Sequence, residues 1–332
     1  MMESVLACQF GKAKRHKGAC HKRSNQKTRF TIGTELFYSG VRQPEAGKMK
    51  VLRTLRRRPD LFFRLSGVRL AGFDALSRQV RPIWLASEKK RLTRADRQRA
   101  LGGGMKYRLE FDEQLLLCLI YYRTYVSHVF LGLMFSISSP TVCRRIGAMT
   151  QLLAGHFRLP ERRVKLSAAE REGLLYLMID CTERPVQRPK SPGKRKKTYS
   201  GKKKRHTASH QIITDNNKRI LAVGPAQQGR KHDKRIYEES HLEKPPDMLV
   251  LADLGYIGTP FETPLKKPRK TTRSLDDKAY NKWHAGLRIG VEHAIGRMKK
   301  FRVFAETCRN NSQQNMIAKN VAALANINLK LA

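Results

Sequence analysis

The stretch LLYLMIDCTERP, residues 174–185, joins an apolar run to an acidic residue. Leu174 to Ile179 carry no charge, and such a short apolar run is typical of a buried β-strand. Asp180 follows, and the chain then becomes polar. Asp commonly begins turns, and it is also an oxygen ligand for divalent cations. The stretch therefore predicts a buried strand that ends at Asp180, and it leaves a turn role and a metal-ligand role open.

A second apolar run has the same arrangement. Residues 248–253, MLVLAD, are apolar as far as Asp253, and the sequence LGYIG then interrupts the strand pattern. Between the two runs, SHQIITDNN (209–217) and KRILAVGPA (218–226) are predicted as strands joined by a turn, and HDKRIYEESHL (232–242) as a short helix. This element order predicts an α/β fold with one mixed sheet and flanking helices.

A long helix is predicted over residues 274–301, after the fourth strand. Its buried stripe is expected to contain Trp283, Leu287, Val291, Ala294, Ile295 and Met298. Glu292 lies beside this stripe, and Arg288, Gly296 and Lys299 share the face of Glu292 by helical spacing. The helix therefore brings an acidic side chain to the edge of its buried face.

Acidic residues are scarce in this chain, and three of them fall in or beside buried elements. The 332 residues include 68 Lys and Arg against 27 Asp and Glu. Asp180, Asp253 and Glu292 would converge if the long helix packs on the sheet. Two Asp and one Glu supply the oxygen ligands with which proteins hold hard divalent cations for phosphoryl chemistry.

The formal net charge of +41 indicates a polyanionic partner. Lys and Arg side chains that contact phosphates release condensed counterions, so nucleic acid is the simplest partner. An anionic membrane surface would call for a membrane-binding amphipathic helix or a lipidation signal, and the sequence shows neither. The longest uncharged apolar run, LLLCLIYY (115–122), is too short to span a bilayer. We therefore expect double-stranded DNA as the partner, and no membrane.

Residues 111–156 are predicted as a helix-turn-helix segment. DEQLLLCLIYYRTY forms an amphipathic helix with Asp112 as its candidate N-cap, and SHVFLGLMFSIS a shorter second helix. Ser139 is the candidate N-cap of a third helix, with Pro140 at its first position. Arg144 and Arg145 lie near the start of this helix, where a recognition helix contacts DNA. A plain helical bundle with a solvated Arg pair is the alternative.

Several motifs, taken together and in this order, resemble the DDE transposases of bacterial insertion sequences, in the branch related to the PIF/Harbinger transposases. The resemblance rests on IDCTERPVQRP (179–189), YSGKKKRHT (199–207), GRKHDKRIY (229–237), LADLGYIG (251–258), LKKPRK (265–270), VEHAIGRMKKFRVF (291–304) and the helical segment 115–146. It covers residues from about 53 to 330.

The resemblance implies a ribonuclease-H-like catalytic domain preceded by an all-α helix-turn-helix domain. It also implies a D, D, E set of catalytic metal ligands, matched here by Asp180, Asp253 and Glu292, with two Mg²⁺ or Mn²⁺ ions in the site. Asp233 also falls in a family motif. Asp253 is preferred as the second acid because it ends a strand, whereas Asp233 matches a helix N-terminal residue.

The basic run 190–206 and two later lysines are candidate DNA contacts. Five consecutive side chains in this run are candidates for a phosphate clamp: Lys202, Lys203, Lys204, Arg205 and His206. A solvated hairpin without a role is the alternative. Lys299 and Lys300 would contact the DNA backbone near the scissile phosphate, or would only favour the helix dipole at a C-terminus.

Three parts of the chain are expected. Residues 1–48 are predicted as a basic disordered arm, and the alternative is that they lie upstream of the true start of translation at Met49. Residues 49–165 would form the DNA-binding domain and residues 168–332 the catalytic domain. The location would be the cytoplasm of a bacterium, in association with the nucleoid, or the nucleus if the host is a eukaryote.

The expected function is that of a transposase that binds the terminal inverted repeats of its element, cuts DNA and joins strands. It would act as a homo-oligomer, because two ends must be cut together. The alternative is a catalytically inactive or domesticated DNA-binding protein that keeps the charge and the fold.

Overall fold

The computed structural model describes residues 51–93, 107–161, 164, 172–240, 243, 248–267 and 272–329. The predicted arm, residues 1–48, lies outside these residues, as does the predicted domain boundary between 165 and 168. None of the helices in the described ranges combines the length and the apolar character needed to cross a membrane.

Three helices open the described chain. They are α1 (Val51–Arg56), α2 (Pro59–Ser66) and α3 (Leu70–Leu92). Pro59 begins α2, where its missing N–H costs nothing. Gly67 ends α2 with a left-handed backbone, and a Cβ here would lie 2.7 Å from the Phe301 ring. Glycine at this position thus permits close contact between the end of α2 and Phe301.

The predicted helix-turn-helix segment forms α4 (Phe111–Thr124), α5 (His128–Phe135) and α6 (Ser139–Phe157). The prediction of Asp112 as N-cap is wrong: Glu110 caps α4 through a capping box, and Asp112 instead accepts a hydrogen bond from Ser77 and pairs with Arg81. The cap of α6 is Ser138 rather than Ser139. The stripe predicted for α6 is buried, and comprises Val142, Ile146, Met149 and Leu153.

The sheet is mixed and centres on β1 (Leu177–Pro185). This strand runs antiparallel to β3 (Arg205–Asp215) and parallel to β6 (Val250–Leu251). The outer side of β3 carries β4 (Ile220–Val223), which forms the predicted hairpin with it. The remaining short elements are α7 (Pro192–Thr198), β2 (Tyr199–Ser200), β5 (Gln227–Gln228) and α8 (Asp233–Ser240).

The first strand does not end at Asp180 as predicted. It continues to Pro185, because β3 offers a pairing partner to every residue of β1 as far as Thr207. Asp180 pairs with Ile212 in the middle of this ladder. By contrast, β6 stops at Leu251, and Asp253 follows the strand end as predicted. The two acids therefore reach the site from different positions on their strands.

The C-terminal part is helical and consists of α9 (Leu275–Lys299), α10 (Arg302–Ala305) and α11 (Gln314–Leu329). Ser274 caps α9 by accepting a hydrogen bond from the N–H of Asp277. The prediction of Trp283 as a buried residue is wrong, since it is 52% exposed. His284 is buried in its place and bonds the carbonyl of Glu262. The later part of the stripe, including Val291 and Met298, is buried as predicted.

One apolar core joins the N-terminal helices to the sheet and the C-terminal helices. A buried polar contact lies in this region: the amide of Asn320 on α11 donates to Tyr122 Oη on α4 at 3.2 Å and to the Thr150 carbonyl on α6 at 2.9 Å. Buried polar groups with partners fix the relative position of the elements that carry them. The helix-turn-helix segment is thus packed directly on the end of the sheet domain.

A stability prediction concerns His210, a fully buried residue of β3. Burial lowers its pKa to about 4, and the neighbouring Arg184 lowers it further, while a bond to the Gly224 carbonyl opposes both. In the unfolded chain the His210 imidazole binds a proton as the pH falls through about 6.5. In the folded chain it binds that proton only as the pH falls through about 4. Stability is therefore expected to fall as the pH drops from 6.5, by about 3 kcal/mol at pH 4 from this residue alone.

Urea denaturation of the wild type and of His210→Gln at pH 7 and pH 5 measures this effect. We expect the loss of stability between the two pH values to be about 2 kcal/mol smaller in the variant. Equal losses in both proteins would contradict the prediction.

Candidate active site

Asp180 is held against the long helix on one face of the sheet. Its side chain is 19% exposed, and Oδ1 accepts a hydrogen bond from the Cys181 N–H at 2.8 Å. Burial raises the pKa of this carboxyl to about 6, which Arg288 and the Cys181 N–H oppose. Asp233 and Asp253 raise it further. Asp180 therefore lies in a region where negative charge accumulates without full neutralisation.

Arg288 lies between Asp180 and Glu292. Its Nη1 is 3.5 Å from Asp180 Oδ2, and its Nη2 donates to Glu292 Oε1 at 2.7 Å. The guanidinium side chain is 17% exposed, whereas Glu292 is 52% exposed. The i, i+4 spacing puts Arg288 and Glu292 on one face of α9. The structure thus joins two of the three predicted acids through a single cation.

Asp253 and Asp233 come together at the end of β6. Asp253 caps the short 3₁₀ turn Leu254–Tyr256 by accepting the Leu254 N–H at 2.6 Å. Asp233 begins α8, as predicted, and a Cβ on Gly255 would lie 3.1 Å from Asp233 Oδ2. The absence of a side chain at Gly255 thus lets the turn pass close to this carboxylate. Both Asp residues contribute to the raised pKa of Asp180, so the structure places Asp233 in the same neighbourhood as the predicted acids.

Cys181, the neighbour of Asp180 on β1, also lies close to Asp233. Its sulfur lies 3.3 Å from the Tyr256 hydroxyl. Burial raises the pKa of the Asp233 carboxyl, and its interaction with the same thiol opposes this rise. Cys181 and Tyr256 therefore anchor the turn that carries Asp253 to the central strand.

The donor chemistry fits a divalent cation. Asp180, Asp253 and Glu292 offer only carboxylate oxygens, the ligands that hard cations prefer. The raised pKa of Asp180 indicates that added positive charge would be favourable here. In the ranges that the structure describes, no three acidic, His or Cys side chains already lie close enough to hold an ion. Arg288 instead occupies the space between two of the candidate ligands.

A large basic cavity extends from the acids. Its volume is 1310 Å³, and Cys181, Asp233 and Asp253 lie along its wall. Four of the five predicted clamp residues line it: Lys202, Lys204, Arg205 and His206. Lys203 is not part of the wall, and its N–H bonds the Ser200 hydroxyl in the turn that connects β2 to β3. The basic run is therefore positioned beside Asp233 and Asp253 and forms one continuous surface with them, whereas Asp180 and Glu292 do not line this cavity.

Lys299 and Lys300 have different surroundings at the end of α9. Desolvation lowers the pKa of the Lys299 ammonium although the side chain reaches solvent, and Lys203 lowers it further. Asp180 and Glu183 act in the opposite direction, so Lys299 lies close to the site acids. Lys300 is exposed, and its carbonyl accepts a bond from Arg123 at 2.7 Å.

The two Arg residues of α6 also differ. Arg144 is exposed, and among the described residues its one hydrogen-bond partner is Thr141, at 3.5 Å. Arg145 stacks on the Tyr107 ring with its guanidinium 4.4 Å from the ring centre. Arg144 can therefore contact a DNA partner, whereas Arg145 already makes an intramolecular cation–π contact.

Arg288 and Cys181 are the site residues to which the sequence predictions give no role. The i, i+4 relation to Glu292 was visible in the sequence and signals an ion pair. No local signal identifies Arg288 as a neighbour of Asp180, because that contact depends on how α9 crosses the sheet.

Comparison with known proteins gives matches over both parts of the chain. Residues 179–327 match the family described as DDE superfamily endonuclease, and residues 107–159 match the helix-turn-helix of DDE superfamily endonuclease. The protein named "Probable transposase for insertion sequence element IS702" of Microchaete diplosiphon is 31% identical over 72% of this chain and 88% of its own length. The protein named "Putative transposase for insertion sequence element IS112" of Streptomyces albus G is 28% identical over 63% of this chain and 77% of its own length. No solved structure matches the chain.

A ribonuclease-H-like mixed sheet preceded by a helix-turn-helix segment defines a class of DNA-binding endonucleases. The chain belongs to the DDE superfamily of insertion-sequence transposases. The resemblance and the fold class inferred from the sequence are therefore confirmed. Membership in this superfamily implies the use of a divalent metal ion and the binding of DNA.

Proposed function

We propose that this protein binds the terminal inverted repeats of its element, cuts phosphodiester bonds at the element ends and joins the freed 3′-hydroxyl to target DNA. The observation that carries the proposal is the arrangement of Asp180, Arg288 and Glu292 on two packed elements, with Asp253 close enough to raise the pKa of Asp180. Residues 49–165 would bind DNA and residues 168–332 would carry the chemistry, with 1–48 as a basic arm.

Asp180, Asp253 and Glu292 would hold two Mg²⁺ ions, or Mn²⁺ in their place. When bound, such ions supply Lewis-acid stabilisation of charge on the phosphate oxygens. Arg288 orients the carboxylates of Asp180 and Glu292 through its two nitrogens. The cations of the cavity wall hold the DNA backbone beside the acids. These phosphate contacts do not depend on the base sequence.

Sequence recognition would come from α6, with Arg144 directed to DNA. Two ends must be cut together, so we propose a homo-oligomer assembled on DNA. Such a protein would be associated with the bacterial nucleoid.

The proposal is tested by cleavage of duplex DNA that carries the element's own ends. We expect cutting at the ends in Mg²⁺ and none in Ca²⁺, which occupies oxygen sites with a looser geometry. DNA of the same composition with scrambled ends is the control and should stay intact. Tight, salt-sensitive binding without cutting in any metal would contradict the proposal and support the inactive DNA-binding alternative.

The choice of second acid gives a separate prediction. Asp253→Asn is expected to reduce the cleavage rate on the order of a thousandfold, because the variant loses a charged ligand. Asp233→Asn should reduce it by about 10- to 100-fold at most, as expected for a residue that supports the site through Cys181 and Gly255. Single-turnover cleavage compares the two variants directly. The reverse order of effects would make Asp233 the second acid.

Arg144 provides a prediction about DNA recognition. Arg144→Ala is expected to weaken binding to element-end DNA by about 1–3 kcal/mol, which is the discrimination that a base-contacting Arg provides. Arg145→Ala should weaken it less, because Arg145 stacks on Tyr107. Competition binding with scrambled DNA checks both variants. Equal losses on specific and scrambled DNA would mean that Arg144 contacts only phosphates.

A further inference from the structure

Tyr199 is an aromatic side chain exposed inside the basic cavity. It is 43% exposed although it belongs to β2, whose pairing with β3 fixes its backbone. Its cross-strand partner is His206, whose ring lies 5.6 Å away at 71°. The Thr198 hydroxyl bonds His206 Nδ1 at 3.0 Å and limits the rotation of that ring. The backbone pairing and the His206 contact therefore hold the Tyr199 ring in a defined position.

Cations on several elements line the cavity that contains Tyr199. Arg195 comes from α7, Lys202 and Lys204 from the turn after β2, and Arg230 from the segment that follows β5. Phosphate oxygens accept charge-assisted hydrogen bonds from Lys and Arg side chains. A DNA strand stacked on Tyr199 would thus lie in a cavity whose wall carries cations for its phosphates.

The size of the cavity favours a polymer. At 1310 Å³, it exceeds the roughly 300–1,000 Å³ of pockets that hold drug-sized ligands. Asp233 and Asp253 lie along the same wall as Tyr199 and His206. A strand that runs through this cavity would pass both the acids and the aromatic ring.

Stacking on Tyr199 requires a base whose face is free. In a duplex, each base is paired and stacked on its neighbours, so an aromatic side chain in a cavity can stack fully only on an unpaired or extruded base. We propose that Tyr199 is a stacking site for an unpaired nucleotide of the DNA strand that passes the acids, with Arg195 and Lys204 on its phosphates. The inference rests on the proposed function, because it assumes that DNA occupies this cavity.

The test uses the full-length protein in EDTA, so that binding is measured without cleavage. The probe is a duplex with a three-nucleotide single-stranded extension, with 2-aminopurine at the first unpaired position, and a blunt duplex is the comparison. We expect the protein to quench the 2-aminopurine fluorescence. Tyr199→Ala should abolish the quenching and weaken binding of the extended probe by about 5- to 150-fold, with blunt-duplex binding unchanged within about twofold.

Two further variants show whether the aromatic ring of Tyr199 causes the quenching and the added affinity. Tyr199→Phe keeps the ring and should retain both the quenching and the affinity. Trp283→Ala removes an exposed aromatic that does not line the cavity and should behave as wild type. No quenching in the wild type, equal affinity for the two probes, or a loss in Tyr199→Phe equal to that in Tyr199→Ala would overturn the inference.

Failure of this inference can be told apart from failure of the proposed function. If the wild type cuts element ends in Mg²⁺ but shows no quenching, only the stacking site is wrong. If it quenches the probe but never cuts, DNA binding in the cavity stands and the proposed chemistry does not.

Discussion

Asp180→Asn is expected to lower the rate of end cleavage in Mg²⁺ on the order of a thousandfold, equivalent to about 4 kcal/mol of transition-state stabilisation. Asparagine keeps the shape of the side chain and one carbonyl oxygen, but it removes the charge that would hold a metal ion. The neighbouring Arg288 would also lose one of its two partners. Single-turnover cleavage of end-bearing duplex, with DNA binding measured alongside, gives the comparison.

The matched control is Asp276→Asn. Asp276 is an acid in the first turn of α9, the helix that also carries Glu292, and it is exposed. We expect its cleavage rate to stay within about twofold of wild type, since only a weak helix-dipole contact is lost. Cleavage by Asp180→Asn at a wild-type rate would show that this acid has no part in the chemistry.

Phe301→Ala is expected to reduce the free energy of unfolding by about 3–5 kcal/mol, the usual cost of removing a buried aromatic ring. Phe301 is 2% exposed and follows the end of α9. Its ring approaches Gly67, and the Arg123 guanidinium lies 5.8 Å from the ring centre. The substitution would thus open a cavity where the N-terminal helices meet the C-terminal ones.

Urea denaturation followed by circular dichroism measures this loss. Because one apolar core joins the helix-turn-helix segment to the sheet, we expect a single transition in both proteins. Trp283→Ala is the control: it removes a larger ring from α9 that is 52% exposed, and it should cost less than about 1 kcal/mol. A loss for Phe301→Ala no greater than that of the control would show that the joint between the two parts is loosely packed.

The sequence predicted those parts of the fold that depend on local periodicity. The stripe of α6 and the later half of α9 repeat at helical spacing, and both are buried. Trp283 has the same spacing but is exposed, because the first half of α9 is covered on one side only and His284 finds a carbonyl there. Periodicity gives the face of a helix that is apolar, but not how far along the helix the core extends.

The sequence indicates which acidic residues to consider for the candidate site, but it indicates less about how the fold arranges them. Asp180 was expected at a strand end, yet it lies in the middle of β1, because the length of a strand depends on its partner as well as on its own residues. The proximity of Asp233 to Asp253 depends on the close passage of the turn at Gly255. Such contacts join residues that are distant in sequence, and no local pattern encodes them.

The contact of Asn320 with Tyr122 and Thr150 has a consequence for the position of the cut. A helix-turn-helix on a flexible tether would let the acids reach many phosphates on either side of the recognised sequence. Here α6 and the sheet share one apolar core, so in the proposed function the spacing between the bases read by α6 and the phosphate presented to Asp180 would be a fixed number of base pairs. In the proposed function, the protein would locate its cut by distance from the sequence it reads, and base pairs inserted between the two would move the cut relative to the element end.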